Sequence, residues 1–135
     1  MDNVSSKNMK VILVDAINTF ILKGEGINLD MFKLLELYPN KKIILTNADD
    51  EEFKEFGLDN VPYEIFTLKH NPNKTNPDYY EKMLEHYSLS PSDVVYFEHN
   101  IDAVKSAENV GIKCFYYDSS KKDLQALKVF LDSAL

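Results

Sequence analysis

Five short apolar runs punctuate the chain, and most of them end on a polar residue: 11–15 (VILVD), 42–47 (KIILTN), 63–68 (YEIFTL), 94–98 (VVYFE) and 113–118 (KCFYYD). Continuous rather than alternating apolar runs of this length predict strands of a sheet covered on both faces. The third run is the weakest, because Glu64 interrupts it. Helical periodicity fills the gaps. LDMFKLLELY, from Leu29, stops before Pro39. Asp49 and Asp50 stand where an N-cap would, ahead of EEFKEF, and Gly57 supplies a stop. Asn76 and Pro77 pair an N-cap with proline at the first helical position, opening DYYEKMLEHY. A fourth helix is expected from about Ile101 to Val110, ended by Gly111. The tail from Ser120 is amphipathic, and Ser120 with Asp123 reads as a capping box.

Strand and helix therefore alternate five times. That order predicts an α/β fold: a three-layer α/β/α, Rossmann-like sandwich around a five-stranded parallel sheet. Residues 1–8 read as a loose polar tail and 9–135 as one α/β domain, in keeping with 135 residues.

Composition narrows the function. The formal net charge is -7, and all 15 basic residues are lysine. An acidic chain without arginine argues against a nucleic-acid surface. It also lacks the guanidinium fork that grips phosphate in two places, so a bound phosphate falls to lysine, backbone N–H groups, hydroxyls or a metal. The N-terminus has no apolar leader, and no run is long enough to span a bilayer. A single cysteine, Cys114, sits in an apolar strand; a buried inert thiol and a cytoplasmic setting are expected. Tyr79, Tyr80, Tyr116 and Tyr117 are expected to pack under helices, and His70 and His86 to lie on a loop and a helix surface.

In such sheets ligands bind at the carboxyl ends of the strands. There the sequence places Asp15, then Thr46 and Asn47, then Glu98, His99 and Asn100, with Lys74 ahead of the third long helix and Asp102 four residues past Glu98. A carboxylate can attack phosphorus, a hydroxyl and a lysine can hold the phosphoryl group, and a divalent ion on hard oxygens can neutralise it. An acid ending VVYF is also costly to bury unless paired, so Glu98 needs a partner.

These residues resemble the motifs of the haloacid dehalogenase (HAD) superfamily of aspartate-nucleophile hydrolases. "DAINT" matches its first aspartate at Asp15 and its threonine at Thr19; "IILTN" matches its second motif at Thr46; "KTNPDYY" its lysine at Lys74; "VVYFEHNIDAVKSAENVGI" its fourth motif at Glu98. The resemblance spans roughly residues 10–118, and it makes FILKGEGIN the turn and hairpin that follow the first strand. It implies a HAD-like hydrolase with Asp15 as nucleophile, Thr46 and Lys74 on the phosphoryl group, and magnesium on Asp15, Glu98 and Asp102 and on the carbonyl of Ile17. Thr19 and Asn47, in the same motifs, go with the cofactor-binding groups. The substrate would be a phosphorylated small molecule or a phosphorylated macromolecule. The intervals 16–45 and 47–73 are filled by predicted strands and helices, which leaves no cap domain, and an open site suits a protruding phosphoryl group.

Two departures change the expectation. The family's general acid and base falls on Ile17, which carries no proton to give; such a loss typically costs about 100- to 10,000-fold in rate. The motif's glycine is Asn18, a residue that tolerates left-handed backbone. The second acid of the fourth motif is His99, and magnesium prefers oxygen to imidazole. The dehalogenase branch of the family also lacks the second aspartate, but it resembles a larger, capped protein. The receiver fold of response regulators, which also phosphorylates an aspartate, does not match the ends of strands three and five. An attenuated magnesium-dependent phosphatase acting through an aspartyl-phosphate is the first expectation; a catalytically inactive HAD-fold binding protein is the alternative.

Overall fold

The computed structural model describes residues 9–135; the tail assigned to residues 1–8 lies outside them. Strand β1 (Val11–Asp15) leads into a two-stranded antiparallel hairpin, β2 (Ile21–Leu22) and β3 (Gly26–Ile27). Helix α1 (Leu29–Leu35), β4 (Lys42–Thr46), α2 (Asp50–Glu55), β5 (Glu64–Thr67), α3 (Pro77–Tyr87), β6 (Val94–Glu98), α4 (Ile101–Asn109), β7 (Lys113–Tyr116) and α5 (Leu124–Ala134) follow. The main sheet is parallel throughout, in the order β5-β4-β1-β6-β7. The chain leaves β1 in one direction, returns across the sheet after β5, and resumes at β6. The seam between β1 and β6 is therefore the switch point, and Asp15 and Glu98 end its two strands.

Period-two alternation splits the core. Ile12, Val14, Ile44, Val95 and Phe97 meet α1 and α5 on one face. Leu13, Ile43, Leu45, Val94 and Tyr96 meet α3 and α4 on the other. Both faces are apolar, which is why the strand sequences run continuously rather than alternating. The interval between β1 and β4 holds the hairpin and α1, and that between β4 and α3 holds α2, a 3-10 turn (Leu58–Asn60) and β5. Among the described residues no helix is long and apolar enough to cross a membrane.

Local chemistry sets the boundaries. Asp49 and Glu52 exchange side-chain and backbone hydrogen bonds in a capping box at α2. Asn76 caps α3 and Pro77 opens it. Asn18 adopts φ +69°, the left-handed backbone expected of the residue in the glycine position. Helix α1 ends at Leu35, short of its apolar pattern, and Leu37 and Tyr38 close tighter turns on the carbonyls of Leu34 and Leu35. Strand β7 ends at Tyr116, which is 45% exposed, whereas Tyr79, Tyr80 and Tyr117 are buried. Tyr116 sits on an edge strand, where alternation turns it out of the core.

The start of α5 departs from expectation. Asp123, not Ser120, is the N-cap: its carboxylate accepts from the Ala126 N–H at 3.0 Å. The Ser120 N–H instead donates to Asp118, which turns the loop three residues early. Asp123→Ala should therefore cost about 1 kcal/mol in denaturant unfolding, and Ser120→Ala only a few tenths. Equal losses would contradict this assignment.

Candidate active site

Lys74 stands at the centre of the strand-end cluster. Its ammonium donates to Asp15 Oδ1 at 2.7 Å, to Glu98 Oε1 at 2.7 Å and to the Leu45 carbonyl at 3.3 Å. All three charged residues are buried: Asp15 is 1% exposed, Lys74 6% and Glu98 0%. The loop that delivers Lys74 is fixed by Asn47, whose side-chain oxygen accepts the Lys74 N–H at 2.8 Å. Tyr79 holds the neighbouring strand ends by donating to the Thr46 and Phe66 carbonyls.

Asp15 Oδ2 is equally engaged. It accepts from the Thr19 hydroxyl at 2.6 Å, the His99 N–H at 3.1 Å and His99 Nδ1 at 2.5 Å. On Glu98, Oε1 also takes the Tyr96 hydroxyl, which itself meets the Tyr80 hydroxyl at 3.3 Å; Oε2 accepts the Asn100 N–H at 3.0 Å. His99 Nδ1 lies 3.3 Å from Glu98 Oε2, so the ring sits between the two carboxylates.

The charges hold one another in place. Burial alone would push the Asp15 carboxyl up, but the Lys74 ammonium and the His99 hydrogen bond outweigh it and keep the group well below the usual carboxylate range. Burial would push Lys74 down; Asp15 and Glu98 together raise it well above the usual range instead. His99 is raised to about 9, first by its hydrogen bond to Asp15 and then by Glu98, against the effect of burial. At neutral pH Asp15 is therefore ionised, and Lys74 and His99 both carry a proton.

A cavity of about 210 Å³ opens on this cluster, lined by Asp15, Thr46, Asn47, Lys74, Glu98 and His99, with Ile17 on its wall. Thr46 Oγ1 accepts the Ala48 N–H at 3.2 Å. Thr19 is fully buried behind Asp15 and is not part of the lining. Asp102 is exposed on the first turn of α4, outside the lining and outside the Asp15, Glu98 and His99 cluster. Asn100 caps that helix through the Asp102 N–H at 2.9 Å, which leaves the Asp102 carboxylate beyond the cavity. Three groups escaped the sequence reading. Lys23 reaches the cavity from the hairpin and His70 from the loop after β5; neither position carries a local signal, because tertiary folding alone brings them there. His99 as the partner of Asp15 could have been sought in the pattern Glu98-His99 facing a lone strand-end acid.

No protein-family model matches the sequence, and no curated protein matches it. Solved structures do. A HAD family enzyme from Bacteroides thetaiotaomicron, an aspartate-to-alanine mutant in complex with magnesium and inorganic phosphate, superposes at TM-score 0.71 with 12% identity, over 88% of this chain and 98% of that one. An uncharacterized protein from Corynebacterium glutamicum gives 0.62 at 15% identity, over 92% and 96%. A HAD-superfamily hydrolase from Geobacter sulfurreducens gives 0.56 at 14% identity, over 81% and 89%. At such identities the likeness is one of fold: this chain has the HAD fold, with no cap among the described residues.

A folded-state shift of His99 above its unfolded value near 6.5 adds stability that is complete below that pH and is lost as the pH rises through about 9. Relative to His99→Gln, the wild type should lose about 3 kcal/mol of unfolding free energy between about pH 6 and about pH 10. A pH-independent difference would contradict the pairing.

Proposed function

We propose that this chain is a slow phosphohydrolase of the HAD type, with Asp15 as nucleophile. The observation that carries the reading is the Lys74 ammonium bridging Asp15 and Glu98 at 2.7 Å on the floor of a strand-end cavity. A carboxylate beside a fixed cation is ionised, pre-oriented and charge-matched to a phosphoryl group. An Asp15 oxygen bonds to phosphorus as the bond to the leaving oxygen breaks and that oxygen departs with the electron pair. Water then attacks the aspartyl-phosphate, releases inorganic phosphate and restores the carboxylate.

Both steps lack help from position 17. Ile17 lines the cavity, but an alkyl chain protonates no leaving group and activates no water. Substrates whose leaving oxygen is already a weak base, such as acyl and aryl phosphates, are the ones this site can cleave. At about 210 Å³ the cavity is below the size that encloses a drug-sized ligand. It holds a phosphoryl group with part of what that group is attached to, so the body of a large substrate stays outside.

Magnesium is the cofactor the fold brings to mind, and one neighbour in fold contains it together with phosphate. The donors present here do not fit it. Magnesium wants near-octahedral oxygens at about 2.0–2.1 Å. All four carboxylate oxygens of Asp15 and Glu98 already accept hydrogen bonds, the His99 ring fills the gap between them, and the Asp102 carboxylate lies outside. The reading therefore uses this chain's own cations.

The saturated hydrogen bonding of Asp15 Oδ2 favours a second reading: a HAD-fold protein that binds a phosphorylated partner without turning it over. Release of phosphate from an aryl phosphate separates the two. Wild type should show slow release that Asp15→Asn abolishes, and Ile17→Asp should raise the rate about 100-fold or more. No release above the Asp15→Asn level, with no gain from Ile17→Asp, would leave the binding protein.

A further inference from the structure

We propose that Lys23 determines specificity: it offers the cavity mouth an ammonium that pairs with a second anion, a carboxylate or a further phosphoryl group, on the body of the substrate. The proposal rests on the phosphoryl reading above and names the substrate class of that same site.

Position is the first argument. The buried members of the cavity lining, Asp15, Thr46, Lys74 and Glu98, form its floor; exposed and half-buried residues of the hairpin, α2 and the loop after β5 form its mouth. The hairpin is tied to the strand end that carries Asp15. The Phe20 N–H donates to the Asp15 carbonyl at 3.2 Å, the Ile21 N–H to the Ala16 carbonyl at 2.8 Å, and the Asn18 N–H returns to the Ile21 carbonyl at 2.8 Å. Lys23 follows directly on β2. There the Glu25 N–H closes the turn on the Leu22 carbonyl at 2.9 Å, and Gly24, at φ +78°, takes its left-handed position. The lysine is exposed, and its Nζ lies 5.8 Å from the centroid of the half-buried Phe56 ring at the end of α2. Lys23 and Phe56 thus make one side of the mouth above the proposed nucleophile.

Partnering is the second argument. The other polar side chains of the mouth are committed to one another. Glu52 Oε1 accepts the Asp49 N–H at 3.1 Å in the capping box and meets His70 Nε2 at 2.6 Å. His70 Nδ1 meets the Asn73 amide nitrogen at 3.3 Å, and Asn73 Oδ1 accepts the Thr75 N–H and hydroxyl at 3.1 and 3.2 Å. On the floor, Lys74 is held by Asp15 and Glu98. The Lys23 ammonium has no hydrogen-bond or ion-pair partner among the described residues; Glu25, across the turn, does not line this cavity. A cation–π contact at an exposed site is weak, so an anion draws the ammonium over while the alkyl stem stays packed on Phe56. A substrate seated with its phosphoryl group on the floor has its body at the mouth, where Lys23 is the cation that meets it.

Phosphate release by the full chain from 3- and 4-carboxyphenyl phosphate, each set against its carboxamide counterpart, tests this. The carboxamides are the better leaving groups, so a preference for the carboxylates cannot come from leaving-group chemistry. Wild type should favour at least one carboxylate about fivefold in kcat/KM, the worth of one ion pair at an open site, and the gain should lie in KM. About 1 M sodium chloride, where the Debye length is about 3 Å, should bring the ratio toward one. Lys23→Gln should abolish the preference at low salt, and Lys23→Arg should keep it. The salt series needs no variant, so it decides even if Lys23→Gln does not fold. A wild-type ratio of one or below, a ratio indifferent to salt, or a preference that Lys23→Gln retains would overturn the role of Lys23 and leave the phosphoryl reading standing. No release from any of the four esters above the Asp15→Asn level would overturn both.

Discussion

The ammonium of Lys74 held between two buried carboxylates is the constraint on which this molecule turns. Each of the three charges alone would be expelled from a site almost closed to water. Together they are tolerable only at hydrogen-bond distance, which the chain achieves by joining β1, the loop before α3, and β6. Asn47 fixes the lysine's backbone, Tyr96 and Thr19 take up remaining lone pairs, and the strand order puts the acids on neighbouring strands at the switch point. Such a cluster contributes little net stability relative to a packed apolar one. What it provides is a rim with charge fixed in advance, the arrangement from which electrostatic catalysis and anion binding are made.

His99 and Ile17 belong together in this account. One stands where a metal-binding acid would be expected and the other where a proton-transferring acid would be. Replacing only the second would leave a metal site without a way to finish the reaction. With both replaced, the proposed nucleophile must rely on its substrate for a good leaving group. Under the proposed function, the small cavity and the absence of a cap in the described residues make the phosphoryl group, rather than the body of the substrate, the recognised part.

Much of this was legible in the chain. The strands announced themselves because a sheet buried on both faces tolerates few polar residues until its end, so VILVD and VVYFE each show an acid where the strand stops. Asp49 and Asn76 were legible as caps because their partners lie two to three residues on. What failed was whatever depends on a competitor or on distance. Ser120 loses the cap of α5 to Asp123, which accepts the Ala126 N–H, while its own N–H donates to Asp118 in the preceding turn. Asp102 shares a spacing with the acids of the family motif, but its helix is capped by Asn100 in a way that carries the carboxylate outward. The pairing of His99 with Asp15 crosses 84 positions of sequence, and the arrival of Lys23 and His70 at the cavity depends on how the hairpin and the loop after β5 fold over the strand ends.

The central claim is that Asp15 is an ionised nucleophile in a phosphoryl site that lacks help for the second chemical step. Its most direct test is mass spectrometry of the protein quenched in acid after incubation with an aryl or acyl phosphate. The account predicts a phosphoryl group on the peptide that contains Asp15, accumulating because water is poorly activated, and absent from Asp15→Asn. An unmodified Asp15 peptide under conditions where phosphate is released, or a phosphoryl group carried by another residue, would contradict it.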